Sequence, residues 1–236
     1  MIEIKEVEIG INANLFSIDK VKLEKGKLYS LIGKNGSGKS TFLRTLGEII
    51  PPFKGKIHWE VNSSKEQRIS FVTSKFDGVE YLTTYDYIAL GRAPYTNIFG
   101  KLKSEDHDFI KNICDKLNLN PLLDKFTTEI SDGERQIASI AKAICQDTEL
   151  IILDEPIAFL DYENKIKITQ ILADITKQRN CCIIHSSHDI DISLIKVDEL
   201  LIIDSINKEL TQYPIEKINK AMVLNIAFPN VQLLDI

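Results

Sequence analysis

Over residues 2–9 apolar side chains (Ile2, Ile4, Val7, Ile9) alternate with charged ones, the period of a strand with one buried face. Val21 and Leu23, then the run Leu28–Ile32, continue that pattern, so the chain begins as sheet. A glycine-rich turn follows. Residues 39–48 then predict a helix with Phe42, Leu43 and Leu46 on one side, halted before Pro51 and Pro52. Residues 56–61 and 68–72 are two further strand-length runs. From about residue 82 to residue 145 the period becomes helical: 106–119 sets Phe109, Ile110, Ile113, Cys114 and Leu117 on one face, and 134–144 does so with Ile137, Ile140, Ala141 and Ile144. Strand and helix then alternate, with strands at 150–153, 181–184 and 200–203, a helix over 163–177 and a short one near Ile190. Those late strands are apolar throughout, which suits a parallel sheet covered on both faces. No internal repeat, low-complexity tract or heptad run interrupts the sequence.

Composition narrows the classes. The 236 residues carry 29 Lys and Arg against 34 Asp and Glu, a formal charge of −5, which argues against the broad basic surface of a nucleic-acid binder. Cys114, Cys145, Cys181 and Cys182 form no CxxC pair and read as reduced apolar residues of a cytosolic protein. No apolar run approaches the roughly 20 residues that cross a bilayer, and the first residues lack the layout of a signal peptide. A membrane process would therefore be served through a partner.

Gly33, Lys34, Asn35, Gly36, Ser37, Gly38, Lys39 and Ser40 fit GxxxxGK[ST], placed after a predicted strand and before a predicted helix. Glycines at these places let backbone N–H groups turn inward around phosphates, and the helix N-terminus adds its positive dipole end. Lys39 is then expected to reach the β and γ phosphates of ATP, Ser40 to hold Mg²⁺, and Thr41 to complete the binding loop. Strand 150–153 ends in Asp154 and Glu155, so that Asp154 can contact Mg²⁺ while Glu155 polarises the attacking water.

Ser131, Asp132, Gly133 and Glu134, directly before a helix, resemble the signature motif of the ABC ATPase family. The resemblance continues in order along the chain through the phosphate loop, Asp154-Glu155, Asp161 and His188. It implies a P-loop NTPase α/β core of RecA type, with N-terminal antiparallel strands and an inserted helical subdomain. The catalytic core would comprise about 1–76 and 146–236, and the lobe about 77–145, carrying the signature and docking to a membrane partner. It further implies a homodimer, head to tail, in which Ser131 and Gly133 of one subunit contact the ATP held by Lys39 and Ser40 of the other. His188 would contact the γ-phosphate and help to align the water with Glu155.

Three positions depart from the family pattern. Where a glutamine usually follows the strand at 70–72, Ser74, or else Thr73, stands here, with a shorter reach toward Mg²⁺. Asp132 replaces a glycine and brings a carboxylate toward the partner's phosphates unless it points away. No aromatic before the phosphate loop is placed to stack on adenine; Phe16 is the nearest and reads as core. The segment Ala89, Leu90, Gly91, Arg92, Ala93, Pro94 and Tyr95 resembles the ATPases of iron-siderophore, haem and vitamin B12 importers, although glycine and proline alone would produce a helix stop and turn there. The expectation is an ATPase driving such an importer, peripheral on the cytoplasmic face of the membrane, with permease subunits and, indirectly, a substrate-binding protein as partners. A regulatory subunit that hydrolyses poorly and a soluble ABC ATPase for iron–sulfur cluster assembly are the competing readings.

Overall fold

The computed structural model describes residues 2–60 and 68–229; Val61, the last residue of the predicted 56–61 strand, lies outside them. The strands are β1 (Ile2–Gly10), β2 (Asn14–Leu23), β3 (Leu28–Ile32), β4 (Ile57–Trp59), β5 (Ile69–Val72), β6 (Leu150–Leu153), β7 (Cys182–Ser187), β8 (Glu199–Asp204) and β9 (Glu209–Pro214). The helices are α1 (Lys39–Leu46), α2 (Thr84–Ala89), α3 (Ser104–Lys116), α4 (Asp132–Cys145), α5 (Tyr162–Arg179), α6 (Ile190–Ser193) and α7 (Lys220–Ala227).

Among the described residues the strands form one nine-stranded sheet in the order β4-β1-β2-β9-β8-β3-β7-β6-β5. The β8-β3-β7-β6-β5 part is parallel, whereas β1 pairs antiparallel with both β2 and β4. The apolar strands of the parallel part divide their side chains between two cores. Leu28, Ile32, Ile151, Leu153, Ile183, Leu200 and Ile202 join the core shared with the helical segment, and Tyr29, Leu31, Leu150, Ile152, Ile184, Leu201 and Ile203 join the one under β1, β2 and α1. Alternation survives, but both faces are covered, so no position needs to be polar. Each fully buried Leu or Ile contributes about 1.5–3 kcal/mol, which fixes the strands in register.

β2 begins at Asn14, earlier than the apolar pattern at 21–23 predicts, because Phe16 and Ile18 are also buried and pair across to β1. β9 and α7 were not legible in the pattern: Leu210 is the one buried residue of β9, and pairing to β8 makes the strand.

His185 of β7 lies buried between Ser30 of β3 and Leu153 of β6. Burial pushes its imidazole down to about 4, from 6.5. The unfolded chain takes up a proton below about pH 6.5 that the folded chain refuses until about pH 4, so stability is full above that window and falls within it. From about pH 7.5 to about pH 5 the loss should be roughly 2 kcal/mol in urea unfolding, and His185→Leu should remove this part of the slope. An unchanged pH dependence in the variant would contradict this assignment.

Candidate active site

β3 ends at Ile32 and the chain turns through residues 33–38 into α1. Gly36 and Gly38 hold left-handed φ values of 77° and 103°, the region that costs glycine least. At Gly38 space reinforces conformation, since a Cβ would lie 2.9 Å from Phe16 Cε1. Phe16 thus packs beneath the loop, against Phe42, with no exposed surface, as the core reading expected. Leu15, one residue earlier, faces the cleft instead and is 38% exposed, an apolar but not aromatic neighbour of the phosphate loop.

The N-terminus of α1 has no side-chain cap and no acidic residue in its first turn. By contrast α4 is capped by Ser131 and α5 by Asp161. A helix start whose N–H groups have no side-chain acceptor, facing a glycine loop, is an anion site by construction. Lys39 is buried and its ammonium donates to the carbonyls of Gly33 (2.8 Å) and Lys34 (3.2 Å), folding back over the loop. Burial lowers its pKa, and the nearby carboxylates of Glu155 and Asp154 act in the opposite direction. Asn35, Gly36, Gly38, Lys39, Ser40, Thr41, Leu15 and Glu155 enclose a cleft of about 340 Å³.

The parallel pairing Leu153↔His185 brings Asp154 level with Ser186 at the ends of β6 and β7. Ser186, which the sequence did not single out, donates from its hydroxyl to Asp154 Oδ1 (2.7 Å) and accepts from the Glu155 N–H (2.8 Å). Glu155 has a φ of 49°, a rare conformation for a residue with a Cβ, and Ser186 helps to hold it. Removing the hydroxyl leaves the buried Asp154 short of a donor, so Ser186→Ala should cost about 1–3 kcal/mol in denaturant unfolding. A stability equal to the parent would refute that role. His188 is half exposed, with Nδ1 3.9 Å from Glu155 Oε2.

A second cleft, of about 520 Å³, is lined by Ser131, Asp132, Gly133, Glu134 and Asp161 with neighbours from α4 and α5, and shares no residue with the first. Ser131 and Glu134 form a reciprocal capping box, in which Glu134 Oε2 accepts from the Ser131 N–H and hydroxyl, both at 2.8 Å. Gly133 meets the segment before α5 so closely that a Cβ would lie 3.0 Å from Leu160 Cδ2. Asp132 is exposed and ion-paired with Arg135 one turn on, which offsets the charge expected to oppose phosphate. Asp161 accepts from the Asn164 N–H (2.8 Å) and its side-chain amide (3.0 Å). Thr73 and Ser74 follow β5 and are exposed; the buried Gln136 of α4 donates to the Thr73 carbonyl (3.4 Å), tying α4 to this segment.

No cluster of three or more His, Cys, Asp or Glu able to hold a metal ion exists among the described residues. The oxygen donors Ser40 and Asp154 instead fit a hard ion such as Mg²⁺, which is commonly bound through one or two protein oxygens and the phosphates of a substrate.

A phosphate loop at the switch from β3 to α1, carboxylates at the end of a neighbouring parallel strand and a parallel sheet between two cores define a P-loop nucleotide hydrolase. The sequence profile described as "ABC transporter" matches residues 17–158. An uncharacterized ABC transporter ATP-binding protein of Methanocaldococcus jannaschii is 32% identical over 234 residues, covering 95% of this chain and 80% of that one. The iron(3+)-hydroxamate import ATP-binding protein FhuC of Bacillus subtilis is 30% identical over 178 residues, 72% of this chain and 66% of that one. An ABC transporter described as of metal-chelate type, solved in an inward-facing conformation, superposes with a TM-score of 0.82 at 28% identity, covering 97% of this chain and 88% of its own. The chain belongs to the ABC transporter family, as an ATP-binding and ATP-hydrolysing subunit.

Proposed function

We propose that this chain powers an importer of metal chelates, of the iron-siderophore, haem or cobalamin type, as a peripheral subunit on the cytoplasmic face of the membrane. The observation that carries the motor reading is the uncapped N-terminus of α1, with Lys39 folded over it and Glu155 across the cleft. In this reading the amides of residues 33–41 and Lys39 bind the ATP phosphates, and Ser40 and Asp154 hold Mg²⁺, with Ser74 a more distant oxygen. The ion, when bound, neutralises charge developing on the phosphates. Glu155 accepts the proton of the attacking water, and His188 steadies Glu155 and the γ-phosphate. Leu15 supplies an apolar surface for adenine in place of an aromatic ring.

The two clefts share no lining residue, which supports a head-to-tail homodimer in which a phosphate seated on Lys39 meets Ser131, Gly133 and Glu134 of a second chain. Asp161 would stand at that seam. Division into a core of about 1–76 and 146–236 and a lobe of about 77–145 is the domain reading that goes with this, the lobe meeting the permease. No helix of the described residues is long and apolar enough to cross a membrane, which agrees with a peripheral subunit.

The metal-chelate class draws on residues 89–95, and on the iron-hydroxamate and metal-chelate systems of the relatives above. Its test is ATP-dependent uptake by proteoliposomes containing this chain, its permease and the binding protein. Uptake of a ferric siderophore, haem or cobalamin is expected; uptake of an oxyanion such as molybdate and of no chelate would overturn the class.

A further inference from the structure

β7 ends at Ser187, and the residues beyond it are held by a few side-chain contacts rather than by the sheet. Ser187 Oγ accepts from the Asp189 N–H (3.0 Å) and donates to the Asp189 carbonyl (3.3 Å), closing a tight turn with His188 in its middle. The Asp189 carboxylate caps α6 by accepting from the Ile192 N–H (3.3 Å), and it pairs with the ammonium of Lys165 on α5 (3.2 Å). His188 is half exposed, and its imidazole makes no hydrogen bond among the described residues; Glu155, at 3.9 Å, is its near charge. The place of the ring is therefore dictated by the backbone on either side of it, and so by what holds Asp189.

Lys165 stands one turn into α5, where its N–H donates to the carbonyl of the cap residue Asp161 (2.9 Å). The pair thus joins the His188 turn to the helix whose N-terminus lines the second cleft. Lys165 and Asp189 keep 17% and 26% of their side-chain surface, and with Glu155 and His188 they line one crevice. An ion pair this accessible to water adds little to stability. Alignment is far more sensitive, because a misplacement of about 1 Å can cost about 10²-fold in rate. The larger effect of the pair therefore falls on turnover and the smaller on folding.

We infer that Lys165 is a positioning residue for hydrolysis, acting through Asp189 on His188. This rests on the reading above in which His188 steadies Glu155 and the γ-phosphate. In the purified full chain, Lys165→Met and Asp189→Asn should each lower kcat for ATP about ten-fold, with KM changed less than about two-fold and a melting temperature within about 4 °C of the parent. Asparagine keeps the acceptor that caps α6, so its effect isolates the charge pair. Lys165→Arg, which retains the charge, should keep at least about half of the parental kcat. In a His188→Ala background, followed by single-turnover hydrolysis, Lys165→Met should cost less than about two-fold, because residues that act as one unit are not additive. Parental kcat in either Lys165→Met or Asp189→Asn, an equal loss in both backgrounds, or a loss that arginine does not rescue would overturn the inference. Turnover by His188→Ala equal to the parent would overturn it through the His188 reading instead, and that single variant tells the two failures apart.

Discussion

Glu155→Gln should lower ATP turnover by about 10²–10⁴-fold while leaving ATP binding intact, the range expected when a positioned general base is lost. Glu155 lines the cleft opposite the phosphate loop, and its backbone is held at φ 49° by Ser186, so the amide side chain enters the same place without a basic oxygen. Shape and hydrogen-bonding size are kept, which separates proton acceptance from binding. Steady-state hydrolysis together with fluorescent-nucleotide titration reads both quantities. Parental turnover in the variant would remove Glu155 from the mechanism and return attention to His188.

Lys39→Ala should lose about 10²–10³-fold in turnover, comparable to deleting a donor aimed at developing negative charge, and should weaken nucleotide binding as well. Its effect on stability should run the other way. Lys39 is buried, burial disfavours its charged form, and its partners in the absence of nucleotide are two backbone carbonyls. Alanine at the first helical position relieves that desolvation and has the better helix propensity, so thermal stability should be unchanged or higher. A residue whose loss costs function but not stability is one retained for its ligand. A marked fall in melting temperature with intact turnover would instead make Lys39 a structural loop clasp.

The parts of the site legible in the sequence are those whose chemistry is local. Residues 33–40 specify their own turn because Gly36 and Gly38 occupy conformations that other side chains resist, and the adjacent apolar runs place them between strand and helix. Ser131 with Glu134 is likewise a short-range device, a capping box readable from spacing three. What escaped depends on register. Ser186 sits 32 positions from Asp154 and meets it only because β6 and β7 pair in parallel with Leu153 beside His185. Gln136 reaches Thr73 across 63 positions for the same kind of reason. Asp132 taken alone reads as a charge opposed to phosphate; its ion pair with Arg135, at spacing three on a helix, offsets part of that charge. In the fold, β9 escaped because its edge-like pattern, with Leu210 alone buried, carries little periodic signal, and its strand character comes from β8.

The central claim is that one chain holds two half-sites that ATP joins between two copies. Sedimentation velocity of Glu155→Gln, which should bind ATP without consuming it, tests this most directly. A monomer without nucleotide that becomes a dimer on adding ATP and Mg²⁺, and stays monomeric when Ser131→Arg is added, is the predicted result. A protein that binds ATP yet remains monomeric at every concentration would contradict the account.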